Sequence, residues 1–178
     1  ITWDTEHGGL IATQELRIGN IILKSTPLPE PAETDLVAAI SNAIKKEGKQ
    51  LLNFDDNFIQ WQNRILSIQK WRPELHWPDT STNTLLLTNN EWLAPFLIGI
   101  KKPAELKKLK LRDILSYTLT KTQQDLLQKL APPSILVPSG ATVKLAYLPS
   151  GAPPILAVRL QELFGWKKSP TINEGLIK

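Results

Sequence analysis

The spacing of apolar positions changes character three times along the chain. In residues 1–30 the rhythm is two. "ITWD" gives way to the turn-forming "TEHGG", then to "LIATQELRI", "GN" and "IILK". Ile11, Thr13 and Glu15 alternate with Ala12, Gln14 and Leu16, the pattern of a half-polar, edge-like sheet. Gly19-Asn20 suits a two-residue hairpin turn. The spacing therefore predicts a β-meander over 1–30, closed by the stiff, Pro-rich "STPLPEPAE".

From 31 to 130 the rhythm is helical. In "ETDLVAAISNAIKKEG", Leu36, Ile40 and Ile44 share a face, Lys45 and Lys46 fill the last turn, and Gly48 suits the stop. Asp55 is an N-cap candidate for the next helix, with Phe54 placed to staple onto Ile59. Its apolar stripe is Phe58, Trp61, Ile65 and Ile68, and Trp71-Arg72-Pro73 ends it. "LLLTNNEWLAPFLIG" reads as a third helical segment, interrupted near Pro95 and stopped by Gly99. "PAELKKLKLRDILSYTL" starts a fourth with Pro103 at the first helical position. "TKTQQDLLQKLAPP" carries a Thr120-x-x-Gln123 capping box and stops at Pro132-Pro133. Short joints between amphipathic stripes predict a helical bundle region.

Over 131–178 the pattern changes again. "SILV" and "ATVKLAYL" read as strands, with Val143, Leu145 and Tyr147 on one face. Pro-Ser-Gly flanks the second strand on each side, at 138–140 and 149–151. In such turns Ser bonds its own backbone and Gly accepts positive φ. After Pro153-Pro154, the residues Leu156, Leu160, Leu163 and Phe164 recur at helical spacing, with Gly165 as the stop. The fold class is therefore α+β: an N-terminal β-meander, a helical middle, and a small C-terminal hairpin or sheet followed by a helix.

Composition narrows the chemistry. With no Cys, disulfides, thiolate metal sites and cysteine nucleophiles are excluded. No apolar run approaches the roughly 20 residues that span a bilayer, so no membrane contact is expected. Met is absent, position 1 included, which reads as an internal piece of a longer chain. "GNIILKST" lacks the second Gly directly before Lys that a phosphate-binding loop needs, and reads as a strand. His7 and His76 stand alone without a second ligand at metal spacing. Asp55-Asp56 at a helix start reads as capping and not catalysis. No catalytic, cofactor-binding or metal-binding residue is expected in this chain.

Charge supplies the one positive lead. The net charge of +4 is concentrated at "IKKPAELKKLKLR", where six cations meet one Glu within residues 101–112. Such a run is either a solvated face or a contact to a phosphate backbone. No aromatic interleaves with it, so no base-stacking platform is indicated there. Trp61 and Trp71 sit near apolar stripes and read as core, whereas Trp3, Trp77 and Trp166 lie at element edges suited to docking. Arg159, which interrupts "ILAVRLQELF", is placed to pair with Glu162 or to reach a partner.

The wording of the C-terminal third goes further. "LAPPSILVPSGATVKLAY" followed by "PPILAVRLQELFG" resembles the C-terminal region of HrpB-type bacterial ATP-dependent helicases of the DEAH class, which typically reads "LAP…VPSG…" and then "PPVLAVRLQE-FG". "ITWD…ELRIGNIILKSTPLP" and "WPD…EWLAPFL.GI" are similar to the same family's segments in the same order, so the likeness covers nearly the whole chain. The resemblance implies part of a cytoplasmic enzyme whose two RecA-like motor domains, absent here, carry the P-loop and DEAH motifs and take ATP and Mg. It also implies that residues 1–30 belong to, or imitate, an oligonucleotide-binding-like barrel. The expected role is to assist binding of RNA or single-stranded DNA beside the motor domains of the same chain. Expected contacts are Arg17, Lys24, Lys101, Lys102, Lys107, Lys108, Lys110 and Arg159. The alternative is an interaction or scaffolding module that docks onto the motor or onto a partner protein.

Overall fold

The N-terminal strands form two separate hairpins, divided at Ala12. The computed structural model describes residues 1–4 and 8–178, so His7 and most of the "TEHGG" turn lie outside the described residues. Strand β1 (Thr2–Asp4) pairs antiparallel with β2 (Gly9–Ile11), and β3 (Thr13–Ile18) pairs with β4 (Ile21–Pro27). The expected continuous meander is corrected here, and among the described residues no barrel closes. The reason is that the outer edge of β2 is already taken. Leu10 N–H donates to the Lys101 carbonyl at 3.2 Å. Gly9, at φ +132°, lies so close to that carbonyl that a Cβ would collide with it. The hairpin turn at Gly19-Asn20 forms as read, with Ile18 opposite Ile21. "GNIILKST" is the turn and strand β4 and not a phosphate loop.

The helices are α1 (Glu33–Glu47), α2 (Asp56–Trp71), α3 (Thr82–Leu87), α4 (Asn89–Trp92), α5 (Pro103–Leu106), α6 (Leu111–Ser116) and α7 (Lys121–Leu130). The last strands are β5 (Ser134–Leu136), β6 (Thr142–Ala146) and β7 (Ile155–Leu156), in the antiparallel order β5-β6-β7. The fold class is α+β as expected. The chain divides into two units, each made of two stretches: 1–54 with 85–114, and 55–84 with 115–178.

In the first unit α1 buries Ile40 and Ile44 completely and packs on β1–β2 and α4. Gly48 ends it at φ +69°. A buried polar link ties α1 to α4: Ser41 Oγ donates to Asn89 Oδ1 at 2.6 Å, and Asn89 Nδ2 donates to the carbonyls of Ser41 and Leu86. The fourth helical segment expected from the sequence is corrected to two short helices, α5 and α6, with Lys107 to Lys110 in the joint. Leu106 and Leu111 are both buried. Five residues apart, they fall about 140° out of phase on a continuous helix, so the chain must break to bury both.

The second unit is organised by α2. Asp55 caps it as read, its side chain accepting from Phe58 N–H at 2.7 Å, and all four residues of the apolar stripe are buried. A second stripe of the same helix is polar and lies along the chain leaving β6, buried at Asn63 and Ser67 and exposed at Lys70. Gln60 Oε1 accepts from Tyr147 N–H at 2.7 Å, and Asn63 Nδ2 donates to the Tyr147 carbonyl at 2.8 Å. Ser67 donates to the Leu148 carbonyl, Lys70 to that of Ser150 and Trp71 Nε1 to that of Gly151 at 2.7 Å. Positions 60, 63, 67 and 70/71 follow helical spacing, so one stripe of α2 satisfies the backbone leaving β6. Arg64 is buried beside it, donating from Nε to the Ala131 carbonyl at 2.6 Å and from Nη2 to that of Leu127. Its charge sits at the C-terminal end of α7, where the helix dipole favours a cation. The Thr120–Gln123 capping box at the other end of α7 forms in both directions.

Both Pro-Ser-Gly tripeptides make the turn the sequence suggests. Ser139 Oγ accepts from Ala141 N–H, Ser150 Oγ accepts from Ala152 N–H, and Gly140 and Gly151 sit at φ +88° and +75°. Beyond the second turn the expected helix is corrected. Ile155 and Leu156 extend the sheet as β7, and only a 3-10 turn forms at Leu160–Leu163. The free edge of β6 captures the apolar "IL" pair, and Leu160 and Phe164 are left exposed, with nothing to bury a helical face against.

Replacing Asn63 with Leu is expected to cost about 1–3 kcal/mol, because the Tyr147 carbonyl loses its shortest donor while buried. At Gly151 a Cβ would lie 2.7 Å from Lys70 Cδ. Gly151→Ala is therefore expected to destabilise more than Gly140→Ala, where φ is equally positive but the space is open. Urea denaturation of the three variants checks both, and equal losses at the two glycines would contradict the packing account.

Candidate nucleic-acid interface

The basic run folds as a loop, one helical turn and a second loop. Its one carboxylate is turned back on the backbone: Glu105 Oε2 accepts from Lys101 N–H at 2.8 Å and from Lys102 N–H at 2.9 Å. The Lys101 amide bond, followed by that of Lys102, holds the Glu105 carboxyl below its ordinary range. Leu106 and Leu111 anchor the segment in the core, and the Lys101 carbonyl binds β2. The side chains of Lys101, Lys102, Lys107, Lys108 and Lys110 are all exposed. Five of the eight expected contacts are thus on one segment with a pinned backbone and exposed ammonium groups.

The other three are placed differently. Arg17 and Lys24 are on the β3–β4 ribbon, where Arg17 is ion-paired with Glu15 at 2.5 Å. That pairing partly neutralises it. Lys24 is exposed opposite Leu16. Toward its tip the ribbon is apolar and open: Ile18 and Ile21 are 68% and 66% exposed, and Leu16, Ile22 and Leu23 about half or more. Arg159 belongs to the second unit, exposed at the start of the 3-10 turn. No ion pair of its side chain with Glu162 forms among the described residues.

The second unit holds a feature that the sequence did not announce as a site. One face of its sheet presents Ile135, Leu145 and Leu156, one residue from each strand, as the floor of a groove of about 800 Å³. Leu160, Phe164 and Trp166 form one wall, and Lys167, Lys168 and Lys178 bring positive charge to its lining, which contains no Asp or Glu. The opposite side is a loop closed by the pairing of Ile172 with Ile177. That loop is clamped to two helices. Asn173 N–H donates to the Leu130 carbonyl, Arg72 donates to Asn173 Oδ1 at 2.9 Å and pairs with Glu174 at 3.0 Å, and Lys129 pairs with Glu174 at 2.8 Å. The sequence signal for this site was "WKK" at 166–168, an aromatic followed by two lysines after the Gly165 stop. Trp77, expected at an element edge, is buried instead.

Comparison with known proteins settles the kinship. Residues 92–178 match the family described as ATP-dependent helicase C-terminal, and residues 1–28 match the connector region of the ATP-dependent RNA helicase HrpB. The ATP-dependent RNA helicase HrpB of Escherichia coli K12 is 34% identical over 177 residues, 99% of this chain and 22% of the relative. The chain belongs to the HrpB family of ATP-dependent helicases. What it presents is the connector and C-terminal region of that family. Two crystal structures of E. coli HrpB, one titled a DExH-box NTPase and the other a DEAH/RHA helicase, superpose with TM-scores of 0.82 and 0.80 at 35% identity. Each covers 99% of this chain and 22% of the solved one, so the chain spans about a fifth of the HrpB length.

The loop clamp has a pH signature. The hydrogen bond from Lys129, then its charge, and after these Arg72, hold the Glu174 carboxyl below its ordinary range. Such a carboxylate stabilises the fold above that range and ceases to as pH falls through its own folded value. Glu174→Gln is expected to lower Tm near neutral pH, with parent and variant converging only once pH has fallen through the lowered folded value, beneath the ordinary carboxylate range. A Tm gap that persists in acid would contradict the clamp.

Proposed function

We propose that this chain is the accessory region of an ATP-dependent RNA helicase and that it holds single-stranded RNA beside the motor of the same protein. The observation that carries this reading is the segment 101–110, whose backbone is fixed at Glu105 and at β2 while five lysine side chains remain exposed. Phosphate contacts need such cations, and a pinned backbone lowers the ordering cost of making them. The printed name of the E. coli relative, an RNA helicase, favours RNA over single-stranded DNA as the substrate. ATP and Mg, which the reading also implies, would be bound by RecA-like domains outside this chain. The residues here do not fit them: the Gly19–Thr26 stretch is a hairpin turn and a strand, with Lys24 on an open ribbon.

A second reading, a docking module, is favoured by the β3–β4 ribbon. A two-stranded ribbon exposing Leu16, Ile18, Ile21, Ile22 and Leu23 is a large apolar surface for a protein of this size. The two readings are compatible if the ribbon meets the motor and the lysine segment meets RNA.

Fluorescence anisotropy of the full chain with a labelled oligouridylate across a salt series separates them. Changing Lys107, Lys108 and Lys110 to Gln is expected to weaken binding and to make the log–log salt slope shallower by about 0.7 for each phosphate no longer neutralised. A slope and affinity unchanged by the triple variant, with binding abolished instead by Ile18→Ser/Ile21→Ser, would leave only the docking reading.

A further inference from the structure

We propose that Glu105 and Gly9 are positioning residues for RNA, which together lock the Lys101 peptide so that the lysine segment meets phosphates in one fixed form; this rests on the RNA-holding role above and assigns the residues that set its affinity. Neither residue carries a positive charge to offer a phosphate. They act from opposite sides on the same short stretch of backbone. Glu105 Oε2 accepts from Lys101 N–H at 2.8 Å and from Lys102 N–H at 2.9 Å, while the Lys101 carbonyl accepts from Leu10 N–H at 3.2 Å. All of these groups belong to the first unit.

Local chemistry leaves the task to these two residues. Lys102 precedes Pro103, the first residue of α5, and a lysine side chain has no acceptor with which to cap the turn. Glu105 reaches back in its place, as the Glu of a capping box does. Among the described residues it forms no ion pair with a lysine, so its negative charge is engaged with amides and the ammonium groups stay uncommitted. Gly9 does the matching work on β2. At φ +132° its backbone is one that L side chains rarely adopt, and a Cβ would collide with the Lys101 carbonyl. Glycine is therefore what lets the neighbouring Leu10 amide come within bonding distance. Without such pins a four-residue helical turn is too short to hold itself, and a mobile backbone would have to be ordered each time RNA binds. The lock joins the stretch that matches the connector region to the stretch that matches the C-terminal family, so the hairpin of one governs the RNA affinity of the other.

The sign of one substitution separates positioning from charge. Glu105→Ala removes the one acid among the six cations of 101–112 and on charge alone would tighten binding to a phosphate chain. The positioning account predicts the reverse. The full chain should bind labelled oligouridylate roughly 2- to 10-fold more weakly at every salt concentration. Its log–log salt slope should be kept, because the same lysines still neutralise the same phosphates. Glu105→Gln keeps a side-chain oxygen for the two amides and is expected to bind at least as tightly as the parent. Gly9→Ala is expected to match Glu105→Ala, whereas Gly8→Ala, also at positive φ but with open space around it, matches the parent. Glu105 is half-buried, and its substitution leaves the buried Leu106 and Leu111 anchors in place, so the Glu105 pair decides the matter even where Gly9→Ala fails to fold. Parental or tighter binding by Glu105→Ala, while the Lys107/Lys108/Lys110 variant still loses binding, overturns the lock and spares the role. Equal weakening by Glu105→Gln and Glu105→Ala overturns the lock too, since the acceptor oxygen would then not be what matters. Equal losses in Gly8→Ala and Gly9→Ala overturn the part assigned to Gly9. Absence of salt-dependent binding by the parent overturns both lock and role.

Discussion

The polar stripe of α2 is the constraint on which the C-terminal half of the chain depends. A strand that ends in Pro-Ser-Gly leaves backbone groups with no ladder partner, and leaving those of the buried Tyr147 unpaired would cost about 1–3 kcal/mol each. Gln60, Asn63, Ser67, Lys70 and Trp71 take up that backbone one after another from Tyr147 to Gly151. Tyr147 is thereby held against Trp71, ring centroids 6.3 Å apart, and burial pushes its hydroxyl well above the ordinary phenol range, with the Arg64 charge acting the other way. Once residues 147–151 are fixed, β7 can reach the free edge of β6, and the three-residue floor of the groove follows.

Helix α2 also determines the closing loop. Arg64 holds the end of α7, and Arg72, one residue past α2, reaches Asn173 and Glu174. Cations near the ends of two helices therefore do two tasks: they satisfy last-turn carbonyls or a loop amide, and they neutralise the Glu174 carboxylate on the closing loop. The same logic recurs in the first unit on a smaller scale, where Glu105 is bound by two backbone amides and the neighbouring lysines are left outward. In both units the acid is absorbed by local structure and the lysines face solvent. That is a physical reason for a mildly basic chain to present concentrated positive surfaces.

Much of the local structure was legible because its causes are local. The Asp55 cap, the Thr120–Gln123 box, the Gly19-Asn20 turn and the two Pro-Ser-Gly turns each involve residues within a few positions of one another. The apolar stripe of α2 was legible for the same reason. Its polar stripe was not, since Gln60, Asn63 and Ser67 read as solvent-facing until a distant strand is known to lie across them. Arg64 is the extreme case, a charged residue on a helix that is nonetheless buried. The helix expected after Pro154 failed to form because a free strand edge outcompeted helical spacing, and the single helix expected after Pro103 failed because Leu106 and Leu111 both had to be buried. The site divided along the same line: the lysine run is contiguous and was read directly, whereas the groove gathers residues from 135 to 178 and had only "WKK" to announce it.

Hydrogen–deuterium exchange of the full chain with and without oligouridylate tests the central proposal most directly, namely that RNA is held on the outward lysine segment 101–110. The account predicts added protection on RNA binding at residues 101–110, over a slow-exchanging background at 60–71 and at the amides of Leu145 and Tyr147 that RNA does not change. Protection confined to the β3–β4 ribbon, or exchange at the Leu145 and Tyr147 amides as fast as in an exposed loop, would contradict it.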